Sequence, residues 1–499
     1  MDITWDVVLA TVCCAAVLLG ITSRARKSNV PVLGSNFLFG YVMAFRMFTQ
    51  YRQTLLEGYQ KFNKHAFQIP GLKGWVVFVS RELYDDVRKS RDDALSMPEE
   101  VKDIVALEYT LGEGVALNPW HNAVVRKQMT QNLGAKFPEV YDEILTAFED
   151  ELQLPASGAE WKPIHAHDLI IHIVCRASQR MFVGLPLCRD PEYTRISRDF
   201  SGTVIQGGFL INLFPRFLKP LVGRYFTAAP KATRGVEKYL VPVIEERWAK
   251  ERELGEAWNE QKPFDLLQWV MDAAPEGQHD AKDITSRILG VNFASTHTTS
   301  LSFTHVIYWL AARPEFVPAL REEVAAAVAE HGWTKAALNQ MRKVDSFVKE
   351  CMRLTGIGAS AMGRKAMRDV TLSDGTFVPR GAKVMLNLYG IHHDPELFDK
   401  PDEFDPWRYS RRVEAGESEA SNALATASGE FLFWGGGSHV CAGRYFASQE
   451  MKTMLAVIVT QYEVKFEGLE PGVRPKDLWF AFSCIPDMKA KVLFRRRQA

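Results

Sequence analysis

The chain has 499 residues, 47% of them hydrophobic, which is enough to bury a large core. Sixty basic and sixty acidic residues give a formal net charge of zero, which argues against a nucleic-acid-binding protein. The seven cysteines show no CxxC pair and no zinc-type spacing, so neither a disulfide framework nor a zinc site is predicted.

The sequence begins with an apolar segment. Residues 7–21 carry no charge, and the basic residues Arg24, Arg26 and Lys27 follow them. A cleaved signal peptide has its positive charge before the apolar stretch, whereas positive charge after it keeps the rest of the chain cytoplasmic. The pattern therefore predicts an uncleaved membrane anchor rather than a signal peptide or a core helix.

The domain prediction follows from this beginning. We expect a transmembrane anchor over residues 1–23, a linker over 24–36 and one catalytic domain over 37–499. The linker contains Pro31 and Gly34, and no second linker or repeat follows it. The predicted location is the endoplasmic reticulum membrane, because its bilayer is thin enough for a short span.

Helical patterns dominate the catalytic part, and strand-like runs are fewer. Together they predict a mostly helical α+β domain with a small sheet to one side. The predicted helices lie near 50–63, 82–92, 120–133, 137–152, 166–181, 231–254, 284–312, 314–330, 345–354 and 443–462. The predicted strands are 75–79, 383–387 and 462–466.

The predicted helix over 284–312 is long enough to cross a whole domain. At its centre stands Ala294-Ser295-Thr296-His297-Thr298-Thr299. Threonines and a histidine in the middle of a buried helix are locally unfavourable. A sequence that breaks local rules inside an element often does so for function.

Two segments downstream supply a glutamate and two arginines. Glu350 and Arg353 are three residues apart on a predicted helix, so their side chains share one face. Phe404-Asp405-Pro406-Trp407-Arg408 adds a second arginine. Alone, a Glu-x-x-Arg pair is as typical of a surface ion pair as of a buried network.

Cys441 is the most informative residue of the chain. It lies in Trp434-Gly435-Gly436-Gly437-Ser438-His439-Val440-Cys441-Ala442-Gly443-Arg444, just before a predicted helix. The positive end of a helix lowers the pKa of a cysteine and favours the thiolate. Glycines allow the backbone to approach a flat ligand closely. This combination predicts a haem iron held by sulfur rather than an ordinary buried cysteine.

The same segment resembles the haem-binding signature of the cytochrome P450 superfamily of haem-thiolate monooxygenases, Phe-Gly-x-Gly-x-Arg/His-x-Cys-x-Gly. Trp434 stands where the family usually has phenylalanine. The resemblance implies that Cys441 is the axial ligand of the iron. The other matching positions are Gly435, Gly437, His439 and Gly443. It also implies that Glu350, Arg353 and Arg408 lock the segment under the haem.

The central helix resembles the family pattern Ala/Gly-Gly-x-Asp/Glu-Thr-Thr. Thr298 matches the threonine that helps to deliver protons for dioxygen activation, and Thr299 matches the next one. Ser295 replaces the glycine, and His297 replaces the acid. His297 either relays protons in place of the acid or only forms a hydrogen bond to a neighbouring helix.

A bound haem brings two propionates that need cations or hydrogen bonds. The resemblance implies Arg126, with Trp120 or His121 beside it, although the family spacing Trp-x-x-x-Arg is not kept. It also implies Arg364 and His439. Each of these side chains could instead be plainly solvent-exposed.

The resemblance implies haem b, with electrons from NADPH passing through a separate reductase flavoprotein. Arg126, Lys127 and Arg444 are expected to contact that reductase. The implied reaction is oxygen insertion from O2 into a C–H bond of a hydrophobic small molecule, such as a terpenoid or another fungal secondary metabolite. The stretches expected to face the substrate pocket are 97–117, 204–214, 291–297, 356–362 and 479–485.

Two other classes of function stay open. A haem-thiolate isomerase or dehydratase would need no O2, and the pair Thr298-Thr299 argues against it. A non-catalytic haem carrier would need no proton-handling threonine. A cysteine hydrolase built on Cys441 and His439 is disfavoured, because residues two positions apart do not pair well.

Overall fold

A computed structural model describes residues 27–34, 43, 46–47, 49–71 and 74–498. The predicted anchor over residues 1–23 lies outside these described residues. None of the helices that the described residues form is both long and apolar enough to cross a membrane.

Helices make up most of the described chain. The first are α1 Tyr51–Lys61, α2 Tyr84–Lys89, α3 Met97–Val105, α4 Leu107–Thr110, α5 Glu113–Leu117, α6 His121–Val124 and α7 Thr130–Leu152. There follow α8 Ala166–Phe182, α9 Pro191–Asn212, α10 Lys219–Tyr225, α11 Ala229–Leu254, α12 Trp258–Gln261, α13 Leu266–Asp272 and α14 Ala281–Ala312. The last are α15 Val317–His331, α16 Lys335–Gln340, α17 Arg342–Thr355, α18 Leu388–His392, α19 Arg408–Glu414, α20 Glu419–Asn422 and α21 Arg444–Gln461.

The strands form small sheets beside the helices. They are β1 Phe67–Gly71, β2 Gly74–Val79, β3 Leu95–Ser96, β4 Lys162–His165, β5 Ala361–Ala366, β6 Val370–Thr371, β7 Phe377–Val378, β8 Lys383–Leu386, β9 Tyr462–Phe466, β10 Leu478–Phe480, β11 Ser483–Ile485 and β12 Lys491–Arg496. One sheet has the order β1-β2-β8-β5-β3, and its pair β2 and β8 is parallel. A second sheet has the order β4-β12-β9. The prediction of a mostly helical fold with small sheets is confirmed.

Helix α7 corrects one predicted boundary. The sequence predicted separate helices near 120–133 and 137–152, yet α7 runs through Pro138 after a π-helical turn at Val125–Met129. A proline inside a helix costs about 3 kcal/mol because it removes one hydrogen bond and crowds the preceding turn. The buried face of α7, which includes Phe137 and Ile144, offsets that cost through tertiary packing.

Helix α14 crosses the middle of the main hydrophobic core. It begins at a cap in which Asp280 accepts hydrogen bonds from the backbone N–H groups of Lys282 and Asp283. Its 32 residues span about 48 Å. This length carries the unusual central sequence into the interior of the fold.

Part of the predicted linker packs onto the sheet. The Pro31 carbonyl oxygen accepts a hydrogen bond from the backbone N–H of Gln68 in β1. The backbone N–H of Leu33 donates to the Gln68 carbonyl oxygen. The Gln68 side chain bonds to Ser28 and Val30. Residues 28–33 therefore lie against the catalytic unit.

Candidate functional site

The loop before Cys441 is shaped by close contacts with helix α2. Gly435 and Gly437 have φ angles of +72° and +69°, which favour glycine. A Cβ atom at Gly437 would lie 2.1 Å from the Arg88 carbonyl oxygen, and one at Gly436 would lie 2.6 Å from the Tyr84 hydroxyl. Gly436 and Gly437 are therefore required because helix α2 packs directly against the loop. Gly443 differs, since a Cβ atom there would meet open space.

Cys441 is the exposed cysteine among those that the structure describes. The other four, Cys175, Cys188, Cys351 and Cys484, are buried. The Cys441 backbone N–H donates to the Trp434 carbonyl oxygen at 2.9 Å, which fixes the position of the residue. Its sulfur is thus the cysteine sulfur available to a ligand.

The Cys441 thiol does not have the lowered pKa that its place before a helix predicted. Although its side chain has accessible surface, enough protein surrounds it that burial raises the pKa of the thiol. Hydrogen bonds from the backbone of Gly443 and Arg444, and the charges of Arg444 and Arg126, act in the opposite direction and are outweighed. Metal coordination is what would deprotonate such a thiol.

Trp434 is tied to the segment that precedes the loop. Its indole Nε1–H donates to the carbonyl oxygen of Leu424 at 2.6 Å. Its ring also packs edge to face against Phe433, with centroids 4.6 Å apart. The N–H that distinguishes tryptophan from phenylalanine is therefore occupied at Leu424.

Glu350, Arg353 and Arg408 form one buried network. Two nitrogens of Arg353 donate to the two oxygens of Glu350, each at 2.8 Å. Arg408 Nε lies 3.1 Å and 3.2 Å from the same two oxygens. Arg408 also donates to the backbone of Asp399 at 2.7 Å. The structure thus brings together the three residues that the sequence singled out.

His392 connects this network to the cysteine loop, and sequence reasoning missed it. Its Nδ1 lies 3.0 Å from the Arg353 carbonyl oxygen, so Nδ1 carries the proton. Its Nε2 accepts from the backbone N–H of Leu432 at 3.1 Å. Burial, with the Arg353 charge, lowers the pKa of His392 to about 3, so the ring is neutral. No feature of the sequence indicates that His392, rather than the adjacent His393, makes these bonds.

The centre of α14 has one exposed stripe. Ala294 and Thr298, one turn apart, are exposed, whereas Thr296, Thr299 and Ser300 are buried. Exposure in the middle of a core helix indicates that the helix borders an internal cavity. Thr298 Oγ1 donates to the Ala294 carbonyl oxygen at 2.7 Å, which leaves its oxygen free to accept a hydrogen bond from the cavity.

His297 points to a different neighbour. Its Nε2 lies 3.2 Å from the backbone oxygen of Arg198 in α9. Burial is the main reason why the pKa of His297 is lowered, although the bond to Arg198 acts in the opposite direction. A neutral imidazole bonded to α9 is what the hydrogen-bonding alternative predicts.

Arg364 is a buried cation with spare hydrogen-bonding capacity. It is 3% exposed and its Nη1 donates to the carbonyl oxygen of Gly363, but its Nε has no hydrogen-bond partner. Burial lowers the pKa of Arg364, and the charge of Asp92 acts against this. An anion beside Arg364 would satisfy the guanidinium.

Two of the other predicted propionate contacts already have partners. His439 Nε2 lies 2.9 Å and 3.0 Å from the two oxygens of Asp92. Trp120 donates its indole N–H to Gln278 at 2.8 Å, and Arg287 stacks on its ring at 4.3 Å. Trp120 is therefore engaged with the start of α14.

His121 and Arg126 lie on the segment that leads into α7. His121 is buried, and its Nδ1 lies 3.4 Å from Arg287 Nη1, so that Nε2 carries the ring proton. Burial and the Arg287 charge lower the pKa of His121 to about 4. Arg126 is exposed, and its charge acts on Cys441. Both side chains carry N–H groups that could bind an anion, and Arg126 is the one whose charge acts on the cysteine.

The arrangement fits a haem. An exposed thiol, a buried arginine with an unpartnered Nε and an exposed threonine hydroxyl are side chains of the kinds that could bind an iron, a carboxylate and a water molecule. The haem-binding pattern of the sequence is thus matched by donors of the right chemistry.

The family model for cytochrome P450 matches residues 30–490 of the chain. The chain belongs to the cytochrome P450 family. It is therefore an oxidoreductase of the monooxygenase class, and membership implies a haem-thiolate cofactor, O2, a small-molecule substrate and a redox partner.

Named fungal proteins support the same assignment. Cytochrome P450 monooxygenase 151 of Postia placenta is 39% identical over 474 residues, which cover 94% of each chain. Cytochrome P450 monooxygenase 71 of the same organism is 37% identical over 475 residues, again 94% of each chain. A cytochrome P450 monooxygenase of Ganoderma lucidum is 32% identical over 500 residues, covering 99% of this chain and 97% of the relative.

Proposed function

We propose that this cytochrome P450 inserts one oxygen atom of O2 into a C–H bond of a hydrophobic small molecule. The second oxygen atom leaves as water, with two electrons from NADPH and two protons. The observation that carries the proposal is the exposed Cys441 sulfur, held in its loop by the bond to the Trp434 carbonyl and by the network around Glu350. A haem b bound there would supply the oxidising chemistry.

The residues proposed to hold the haem are Cys441 at the iron and Arg364, His121 and Arg126 at the propionates. Arg364 is favoured because its Nε has no other partner. His439 would have to exchange Asp92 for a propionate. Trp120 is proposed to act indirectly, because its ring packs against Arg287, which in turn contacts His121.

Proton delivery is proposed to use Thr298. Its hydroxyl is oriented by the bond to Ala294, so its oxygen can hold a water molecule in the cavity. Thr299 and His297 are buried or half-buried behind it and would act, if at all, by holding the helix in place. Separate substitutions of Thr298 and His297 distinguish these roles by their effects on the yield of product per NADPH.

The substrate is proposed to be hydrophobic, with a terpenoid or a related fungal secondary metabolite as the expected class. Support comes from large apolar side chains that are exposed within the predicted substrate stretches. These are Ile104, Leu117, Ile205, Phe209, Phe214, Phe480 and Phe482. Such side chains hold a ligand by contact area rather than by ion pairs.

A membrane location is proposed from a second apolar surface around α10. Phe217, Leu221, Tyr225 and Phe226 are more than half exposed there. Exposed aromatic rings beside basic side chains such as Arg224 are typical of membrane interfaces. We propose that this surface rests on the endoplasmic reticulum membrane, with residues 1–23 as a single anchor and the catalytic unit in the cytoplasm.

Hydrogen–deuterium exchange of the vesicle-bound full chain tests this surface, because the predicted anchor alone would keep every variant on the vesicle. Replacing both Phe217 and Phe226 with serine should lower the protection of the α10 amides on vesicles, whereas Leu469→Ser, at a less exposed apolar residue elsewhere, should not. Equal protection of α10 in all three proteins would contradict the proposed membrane surface.

Electron delivery is proposed to occur on the cysteine side. The charges of Arg126 and Arg444 act on Cys441, and Lys127 is exposed beside Arg126. These three side chains would meet an acidic flavoprotein surface. Charge reversal at Lys127 should slow reduction, and the loss should shrink as salt is added. An unaltered reduction rate at every salt concentration would remove Lys127 from the docking surface.

The absorption spectrum of the reduced, carbon-monoxide-bound protein tests the central proposal. The wild-type chain should show a Soret band shifted far to the red, and Cys441→Ala should lose it. Turnover is then measured with NADPH, a reductase and a panel of lipophilic compounds. Product formed without reductase or O2 would instead support the isomerase or dehydratase alternative, and no turnover with any compound would favour the carrier.

A further inference from the structure

The chain before the cysteine loop is held through its backbone. The segment Asn422–Ala425, called here the proximal segment, reads Asn-Ala-Leu-Ala and offers few polar side chains. Its main-chain groups are nevertheless bonded to side chains at every residue. Leu424, at its centre, is 0% exposed, so these bonds replace water rather than compete with it.

Helix α17 supplies the first half of these bonds. Lys349 Nζ donates to the carbonyl oxygens of Asn422 and Ala423, both at 3.1 Å. The backbone N–H of Leu424 donates to Asp345 Oδ2 at 2.6 Å. This is the helix that also carries Glu350 and Arg353, so the proximal segment is fixed to the same rigid element as the buried network.

The cysteine loop supplies the second half. Trp434 Nε1–H donates to the Leu424 carbonyl oxygen at 2.6 Å. Arg444 Nε donates to the Ala425 carbonyl oxygen at 3.1 Å. Trp434 and Arg444 stand on either side of Cys441 in the chain. The proximal segment therefore joins both ends of the loop to α17.

The tryptophan is what completes this arrangement. A phenylalanine ring, which the family usually has at this position, carries no hydrogen-bond donor. With phenylalanine, the buried Leu424 carbonyl would lose its partner, and a buried polar group without a partner is strongly unfavourable. The choice of tryptophan at 434 thus matches the presence of a backbone acceptor at 424.

We propose that Trp434 is a positioning residue whose indole locks the proximal segment against the cysteine loop and thereby holds Cys441 in place. The same bond directs the indole N–H to Leu424, so the sulfur of Cys441 does not receive it. The consequence for a haem bound at Cys441 rests on the proposed function, whereas the lock itself is a property of the polypeptide.

Hydrogen–deuterium exchange on the full chain, with and without haem, tests the lock. In Trp434→Phe, the amides of residues 422–425 should exchange about tenfold faster than in the wild type, as expected for the loss of one buried hydrogen bond. Trp309→Phe is the matched control. It removes a partly buried indole bond to Thr355 Oγ1 at 3.2 Å. Because Thr355 is the last residue of α17, six residues beyond Lys349, exchange at 422–425 should stay unchanged.

The haem-bound form gives a second readout. The red-shifted Soret band of the reduced, carbon-monoxide-bound protein should be lost several times faster in Trp434→Phe than in Trp309→Phe, because the sulfur is less firmly held. A wild-type protein without that band would overturn the proposed function, but the exchange result would still decide the lock.

Equal exchange at 422–425 in folded Trp434→Phe and the wild type would overturn the proposal. If Trp434→Phe does not fold, Trp434→Leu replaces it, since the leucine side chain also carries no hydrogen-bond donor for the Leu424 carbonyl. Lys349→Met provides an independent arm. Because it frees the same segment from α17, its effect on exchange should be non-additive with that of Trp434→Phe, and strict additivity would also count against a common lock.

Discussion

The cysteine side and the opposite side of the site are built in different ways. On the cysteine side, the carboxylate of Glu350 is fully buried and meets two arginines, and backbone groups are bonded one by one to side chains. On the opposite side, Thr298 bonds only to its own helix, and Ile205 and Phe209 are about half exposed. The first arrangement fixes a single geometry, whereas the second leaves apolar surface free for ligands of different shapes.

Two buried glutamates, Glu350 and Glu450, differ in the same way. The carboxyl group of Glu350 accepts hydrogen bonds from the guanidinium groups of Arg353 and Arg408. Glu450, in α21, is equally buried but meets only the Ser178 hydroxyl, at 3.4 Å, and one of its oxygens has no partner. Burial therefore raises the pKa of Glu450 to about 8. The two glutamates are equally buried and differ in the partners that surround them.

The largest expected effect is at Glu350. Glu350→Gln leaves two buried arginines without their anion, and breaking such a network should lower the free energy of unfolding by about 3–5 kcal/mol and reduce haem content. Denaturant unfolding and pigment absorbance measure these losses. Glu419→Gln, which affects an exposed pair with Arg342, should change stability by less than about 1 kcal/mol. Similar values for the two variants would break the comparison.

The next effect concerns pH and Glu450. Its carboxyl stays protonated in the folded chain up to about pH 8, whereas in the unfolded chain it ionises above its ordinary pKa of 4.5. The stabilising contribution is therefore complete below that value and is lost as the pH rises towards 8. Between pH 5 and pH 8 this should cost on the order of 4 kcal/mol.

Glu450→Gln removes this titration. The free energy of unfolding of the variant should depend less on pH between 5 and 8, and the variant should be the more stable protein at pH 8. Unfolding curves at several pH values measure the difference. A pH dependence that matches the wild type would show that Glu450 is ionised in the folded chain.

A smaller loss is expected at His392, which joins the Glu350 network to the cysteine loop. His392→Ala leaves the Arg353 carbonyl and the Leu432 N–H without partners and should cost about 1–3 kcal/mol. His393→Ala is the matched control, because the neighbouring ring pairs with exposed Asp402. If both variants lose equal stability, His392 has no special connecting role.

The smallest effect on stability is expected on the opposite side. Thr298→Ala should change the free energy of unfolding by less than about 1 kcal/mol, since Thr298 is exposed to the cavity. It should nevertheless divert electrons from product to hydrogen peroxide, because a proton-handling hydroxyl is lost. NADPH consumption, product and peroxide are measured together.

His297→Ala separates the two interpretations of the histidine. Because its Nε2 is bonded to the Arg198 carbonyl, we expect the ratio of product to NADPH to stay at the wild-type value. A fall in that ratio comparable to that of Thr298→Ala would place His297 in the proton relay.

Sequence alone determined the fold class and singled out the main residues of the candidate site. Cys441 and the pair Glu350 and Arg353 were found because their chemistry depends on short, fixed spacings along the chain. The long helix that became α14 was found because a run without proline persists over many turns. Strand β9 was found for a similar reason, as its residues are contiguous and apolar in alternation.

Only the tertiary structure decided which partner each side chain has. His392, Lys349 and Asp345 gave no signal in the sequence, because their bonds are to backbone groups far away in the chain. The same holds for the Trp434 indole and for the orientation of His297. Separate helices were predicted near 120–133 and 137–152, since a local rule cannot include the packing energy with which α7 runs through Pro138. Short spacings specify local chemistry, whereas burial and long-range hydrogen bonds, which set pKa values and hold the loop, exist only once the chain has folded.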